Sequence, residues 1–221
     1  MSFYNTLLER TRPAREYLLT SPIILRALDG RITLEEYTAF LVQAYHHVRH
    51  TVPLLMATGS RMDSKQEWLR EAIAGYIEEE LGHQEWILDD IQACGLDREK
   101  ARESKPGTAT ELMIAYAYDT VQRINPLGFF GMVLVLEGTS VELAGKAADI
   151  IQDSLGLPDN AFSYLRSHGS LDQEHIRFYE KLVDKIPDQD DQKLIIHTAK
   201  MFYKLYADIF RTLHQQQPLA A

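Results

Sequence analysis

A histidine, an aspartate and a second histidine interrupt one apolar stripe in the last third of the chain. The stripe reads Leu165, His168, Asp172, His175, Tyr179, Leu182, Ile186. Its steps alternate three and four, so a single helix face carries all seven residues. Two imidazoles and a carboxylate therefore point where leucine and isoleucine point. The same substitution recurs in two other stripes. One is Phe130, Val133, Leu134, Glu137, Val141, Ala144; the other is Ile73, Ile77, Glu80, His83, Ile87, Ile91. Burying a lone carboxylate is costly unless it is protonated, paired or bound to a cation. No arginine or lysine shares these stripes, and a divalent metal balances such acids better than histidine does. Carboxylate plus imidazole without thiolate suits iron, manganese or zinc.

A carboxylate-x-x-His step places both donors on one helix face. Two such steps, joined by single carboxylates from other helices, build the di-iron and di-manganese sites of helical bundles. This chain has Glu80-Leu81-Gly82-His83 and Asp172-Gln173-Glu174-His175, with His168 one turn upstream of the second. The candidate metal ligands are thus Glu80, His83, Glu137, His168, Asp172 and His175. Glu78, Glu79 and Glu80 are consecutive, and Glu79, four residues before His83, is the alternative to Glu80. Singly, Glu80 with His83 reads as an exposed pair, and Glu137 as a buried acid bonded to a tyrosine. Three helices together point to a metal site.

Other candidates have plainer readings. His46, His47 and His50 share one helix, and His47 falls near the stripe Tyr37, Phe40, Ala44, Thr51, Leu54. It reads as a core or surface histidine, with a donor to a metal ligand or a haem axial ligand as its functional alternatives. His197 and His214 read as ordinary late-helix residues. Tyr116, Tyr118, Phe129 and Phe130 read first as core. Phe129, Phe130, Leu134 and Tyr179 are the apolar side chains placed to line a substrate cavity. Cys94 ends a helix without an activating base, so it reads as a structural thiol.

These residues must be positioned by helices. Period-2 alternation is absent and 3.6-residue stripes recur throughout, so the fold class is all-α, with about seven helices in one domain over residues 1–221. The first helix covers 3–27 and breaks near Pro13. The second opens on the capping box Thr33-Leu34-Glu35-Glu36 and runs to 57. The third covers 64–94 and stops at Gly95. Residues 96–107 read as a loop. The fourth helix covers 108–124, the fifth 127–153, the sixth 160–186, and the seventh starts after Asp188 and runs to about His214.

Composition narrows the function further. The chain has 221 residues, 45% apolar and 25% charged, and its 23 Lys+Arg against 32 Asp+Glu give a net charge of -9. That surface repels phosphate backbones and anionic lipid, so neither nucleic acid nor membrane is expected as a partner. One cysteine makes no internal disulfide and no thiolate zinc site, which suits a reducing, cytoplasmic setting. The longest apolar run, Pro126 to Leu136, is shorter than the ~20 residues that span a bilayer. Eight histidines beside one cysteine in an acidic chain fit a nitrogen–oxygen metal site.

The spacing His168-x-x-x-Asp172-x-x-His175, preceded by Glu137 and by Glu79-Glu80-Leu81-Gly82-His83, resembles the haem-oxygenase-like di-iron oxidases. These are also described as iron-containing redox enzymes and are related in fold to TenA and PqqC proteins. Trp86 and Asp90 after His83, and Glu142-Leu143-Ala144 after Leu136-Glu137, are similar to the family's patterns. The resemblance runs from the second helix through the sixth. One position departs from it: many members carry a glutamate seven residues before the third-helix histidine, where this chain has Tyr76. The resemblance implies a seven-helix haem-oxygenase-like bundle, often a homodimer. It implies two iron ions, with manganese as the other metal, and O2 as co-substrate. The reaction would be oxidative attack on a C–H or C–C bond of a small molecule, fatty-acid-like or amino-acid-like, with an external electron donor. Glu80, His83 and His175 or His168 would hold one iron, the remaining sixth-helix groups the other, and Glu137 would bridge. His47, Tyr76, Phe130, Leu134 and Tyr179 would surround the site. The alternatives are a metal-free TenA- or PqqC-like enzyme or binding protein, and a haem-binding oxygenase using His46 or His47. A thiamin hydrolase needs a nucleophilic cysteine near a late helix, which Cys94 is not. A ferritin-like iron store would need a cage.

Overall fold

The computed structural model describes residues 2–213, and within that span every side chain except those of residues 168–173. His168 and Asp172 therefore lie outside the described residues. No strand occurs among the described residues. The helices are α1 (Phe3–Leu19), α2 (Pro22–Leu28), α3 (Leu34–Val48), α4 (Thr51–Arg61), α5 (Glu67–Glu80) and α6 (His83–Ala93). They continue with α7 (Arg98–Glu103), α8 (Thr108–Asp119), α9 (Phe129–Leu155), α10 (Ser163–Val183) and α11 (Gln189–Thr212).

The most apolar helix is the central one. α9 packs against α10, α11 and α2, and its first seven residues, Phe129 to Val135, are all buried. Pro126–Leu155 is long and apolar enough to cross a membrane, longer than the run ending at Leu136, but most of it is covered by other helices. Around it, α1 lies on α11, α3 on α6 and α8, and α4 on α5. At Gly131 the α9 backbone meets α11 so closely that an added Cβ would lie 2.5 Å from the Ala199 amide nitrogen.

Local chemistry explains most helix ends. Thr33 and Glu36 form the capping box of α3, and Asp97 and Asp188 cap α7 and α11 with their carboxylates. Gly156 closes α9 in a left-handed conformation. α10 is capped from a distance. The buried Asp90 carboxylate on α6 accepts from the Ser163 and Tyr164 amides at 2.9 Å each, and from the Ser163 hydroxyl.

Three expected helices are split. Pro13 does not break the first; it is exposed inside α1, where the carbonyl it frees can turn to water. The break falls at Thr20–Ser21, and Pro22 starts α2, where its missing N–H costs nothing. The second helix divides at Arg49–His50 into α3 and α4. The third divides at Leu81–Gly82, where Gly82 has φ 92, a left-handed value that favours glycine. The expected loop 96–107 contains α7, and Thr120–Ile124 continues α8 as a π-helical turn.

Candidate metal centre and its cavity

The Gly82 break corrects the picture of Glu80 and His83 as one helix face. Glu80 ends α5 and His83 begins α6, yet the turn still brings His83 Nδ1 to 3.1 Å from Glu80 Oε2. Trp86, one turn on, stacks on the His83 ring at 4.0 Å between centroids, which fixes the plane of the imidazole. That aromatic neighbour was readable as an i, i+3 partner of His83.

Across the centre, α9 presents Glu137 and α10 presents His175, 8% and 7% exposed. His175 Nδ1 lies 3.7 Å from Glu137 Oε1, and His175 Nε2 lies 2.7 Å from Glu79 Oε2. Both candidate glutamates are therefore engaged, Glu80 with His83 and Glu79 with His175. Because α5 ends at Glu80, neighbouring side chains reach separate partners. Tyr76, one turn before Glu80 and buried, meets the His175 ring edge-on at 5.7 Å.

The donor set has the type and burial of a metal site. It is oxygen and nitrogen only, the kind that suits iron and manganese. Glu80, His83, Glu137 and His175 are all buried. Two donors about 2.1 Å from a shared ion stand about 3.0–3.4 Å apart; the Glu80–His83 contact of 3.1 Å falls within that spacing and the Glu137–His175 contact of 3.7 Å just beyond it. Among the described residues, the donors meet in pairs, and no group of three converges. The residues fit a metal by chemistry and pairwise spacing, with His168 and Asp172 outside the described residues.

Beside this centre runs a cavity of about 150 Å³. Tyr76, Glu80, Glu137 and His47 are among its polar lining residues. Among the described residues, no lysine or arginine lines it. One face of α9 supplies the wall from Phe129 through Val133, Leu136, Ala144 and Ala147 to Ile151. Phe130, Leu134 and Tyr179, expected on the wall, are instead fully packed in the core, and the Tyr179 hydroxyl donates to the Phe130 carbonyl at 2.7 Å. α9 is covered on several sides, so its apolar stripe alone does not single out the cavity face.

The remaining candidates lie apart. His46 Nε2 sits 2.9 Å from the Ser104 hydroxyl, and His50 Nδ1 sits 3.1 Å from the Tyr118 hydroxyl. Burial, then Arg49 and His50, pushes the His46 imidazole down to about 4. Burial and the neighbouring Asp90 push the Cys94 thiol up to about 12, which fits an inert structural thiol. His47 meets the Tyr206 ring edge-on at 5.7 Å.

Solved structures share this architecture. A domain of unknown function with a heme oxygenase-like fold from Shewanella denitrificans superposes with a TM-score of 0.87 at 23% identity. The alignment covers 97% of this chain and 93% of that one. A TenA homologue from Pseudomonas syringae gives 0.80 at 11% identity over 97% and 93% of the two chains. The heme oxygenase of Leptospira interrogans gives 0.76 at 16% identity over 96% and 99%. These likenesses show the fold. No curated protein matches the chain. Residues 38–207, which hold every donor described above, match the model of the iron-containing redox enzymes. The chain belongs to that family and carries it on a haem oxygenase-like, all-helical fold.

Proposed function

We propose that this protein is a non-haem di-iron oxidase or oxygenase that uses O2 to oxidise a small organic substrate at a C–H or C–C bond. The observation that carries the reading is the pairing of two buried carboxylates, Glu80 and Glu137, with imidazoles, both acids lining a largely apolar cavity that has no lysine or arginine among its described lining residues. Glu80, His83, Glu137 and His175 would hold iron, joined by His168 and Asp172. Iron bound there supplies the electrons and the open coordination positions that O2 reduction needs. The chain does the rest. Glu79 orients the His175 imidazole through Nε2, and Trp86 holds the plane of His83. The apolar wall excludes water from the substrate and strengthens the electrostatics of the centre. An external reductant completes the cycle.

A haem reading fits less well. A cavity of about 150 Å³ matches one that accepts benzene, and a porphyrin has several times as many atoms. A metal-free TenA-like binding protein has one observation in its favour: Glu80 with His83 and Glu79 with His175 already meet one another in pairs. Anaerobic loading with Fe(II), metal analysis and O2 uptake separate the readings. The expected result is close to two irons per chain, with uptake on exposure to O2. His175→Ala and Glu137→Ala should each lose iron and O2 uptake. Iron content near zero in the unmodified protein would sink the proposal and favour the metal-free reading.

A further inference from the structure

Tyr76 stands where the two donor pairs of the centre come together. Along α5 it lies four residues, one helical turn, before Glu80, so the two side chains share a helix face. Across from α5 its ring meets the His175 imidazole edge-on at 5.7 Å, with 73° between the planes. Tyr76, Glu80 and Glu137 line the same cavity. One phenol thus adjoins a member of the Glu80–His83 pair and a member of the Glu137–His175 pair. Phe178, three residues after His175 on α10, also meets the ring edge-on at 5.8 Å. The ring is held by packing, 4% exposed, and its hydroxyl oxygen is itself buried.

A buried phenol often serves as a plain hydrogen-bond donor, as the Tyr179 hydroxyl does toward the Phe130 carbonyl. Beside iron it has a second use. Phenolate is an anionic oxygen donor, and tyrosine holds ferric haem iron in some enzymes. We infer that Tyr76 is itself a ligand of the centre, its phenolate oxygen bound to Fe(III) along with the Glu80, Glu137 and imidazole donors. This rests on the di-iron reading and adds an oxygen donor to it. On coordination the phenol O–H bond breaks, an Fe–O bond forms and the proton leaves to water; no electron moves. One more anion favours the ferric over the ferrous state, by charge alone.

The test loads the full chain from ferric nitrilotriacetate and removes excess chelate, so that no step depends on O2. Ferric phenolates are purple to red, because visible light moves charge from the phenolate to the metal. Ferric iron held only by carboxylate and imidazole is pale. The loaded protein should be strongly coloured, and excitation into the band should enhance tyrosine ring vibrations in the Raman spectrum. Tyr76→Phe keeps the ring and its contacts with His175 and Phe178, so it should fold and still take up iron but lose the colour and the enhanced vibrations. Tyr116→Phe, on α8 against Phe202, should keep both. Genetic replacement of Tyr76 by a fluorinated tyrosine keeps the ligand and should move the band to higher energy, which reads the assignment even where the phenylalanine variant binds no iron. Bound ferric iron without a phenolate band, a band that survives Tyr76→Phe, or a band that fluorination at this position leaves unmoved would each overturn the ligand and leave the oxidase reading standing. Iron content near zero in the unmodified chain would overturn both.

Discussion

Burial at the end of α3 holds the His46 imidazole neutral well below the ordinary histidine range. Its pKa is pushed down to about 4 by desolvation first, then by Arg49 and His50. In the unfolded chain the same ring takes a proton near pH ~6.5. Between these values the unfolded state binds more protons than the folded one, so stability rises with pH there. The contribution is complete above about pH 6.5 and is lost as pH falls toward about 4. His50, lowered by burial and by Arg49, acts in the same direction. Urea melts from pH 4 to 8 should show this slope, and His46→Gln should flatten it; identical slopes in the two proteins would refute it. At this scale the sequence was informative wherever a polar residue sat on an apolar stripe. Glu137 and His175 stood out for that reason, and the structure puts them 3.7 Å apart. Glu79 stood out only as the alternative to Glu80 beside His83, because its contact with His175 depends on α5 ending one residue later. Tyr76 stood out only as a departure from a family pattern, and it sits against the His175 ring.

Helices bring these residues together, and two contacts set where the helices lie. The Asp90 carboxylate caps α10, the helix that carries His175, by accepting from two of its first amides. Burial raises the Asp90 pKa, and the Ser163 and Tyr164 donors pull it back down. Asp90→Ala removes the acceptor and leaves buried amides without it, at a cost of about 1–3 kcal/mol in urea melts. The second contact is the close approach of α9 to α11 at Gly131. A methyl group there would press on the Ala199 nitrogen and Thr198, and neither backbone can step aside alone. Gly131→Ala should therefore cost about 1–3 kcal/mol, while Gly145→Ala, with open space around its position, should change stability little. Helix type and most outer boundaries were legible from stripes and caps such as Thr33–Glu36. The internal breaks were not. Leu81–Gly82 lies inside an unbroken apolar pattern, and only the tertiary placement of Glu80 and His83 requires glycine to turn left-handed there. The cap from Asp90 to α10 spans more than seventy residues, so no local signal announces it.

Across the whole molecule, α5 and α6 supply the Glu80–His83 pair and α9 and α10 the Glu137–His175 pair, and each contact reports on the docking of its helices. On the proposed reading, a metal held by these groups would bind the folded chain and not the unfolded one, so loading should raise stability. At a free concentration one hundred times the dissociation constant the gain is about 2.7 kcal/mol. For a chain of this length that raises Tm by roughly 5–10 °C. Mn(II) makes the measurement practical in air, since the donor set suits both metals and manganese does not consume the oxygen. Thermal melts with and without Mn(II) should differ by that amount, and a chelator should restore the lower value. Glu137→Gln keeps the side-chain shape but gives up the charge, so it should melt close to the unloaded protein and gain much less from metal. His197→Ala, at an exposed position of α11 away from the centre, should respond like the unmodified chain. An equal response in the Glu137 and His197 variants would place the stabilising ion elsewhere on this acidic surface. A response confined to chains with Glu137 intact would tie the stability of the bundle to its buried carboxylates.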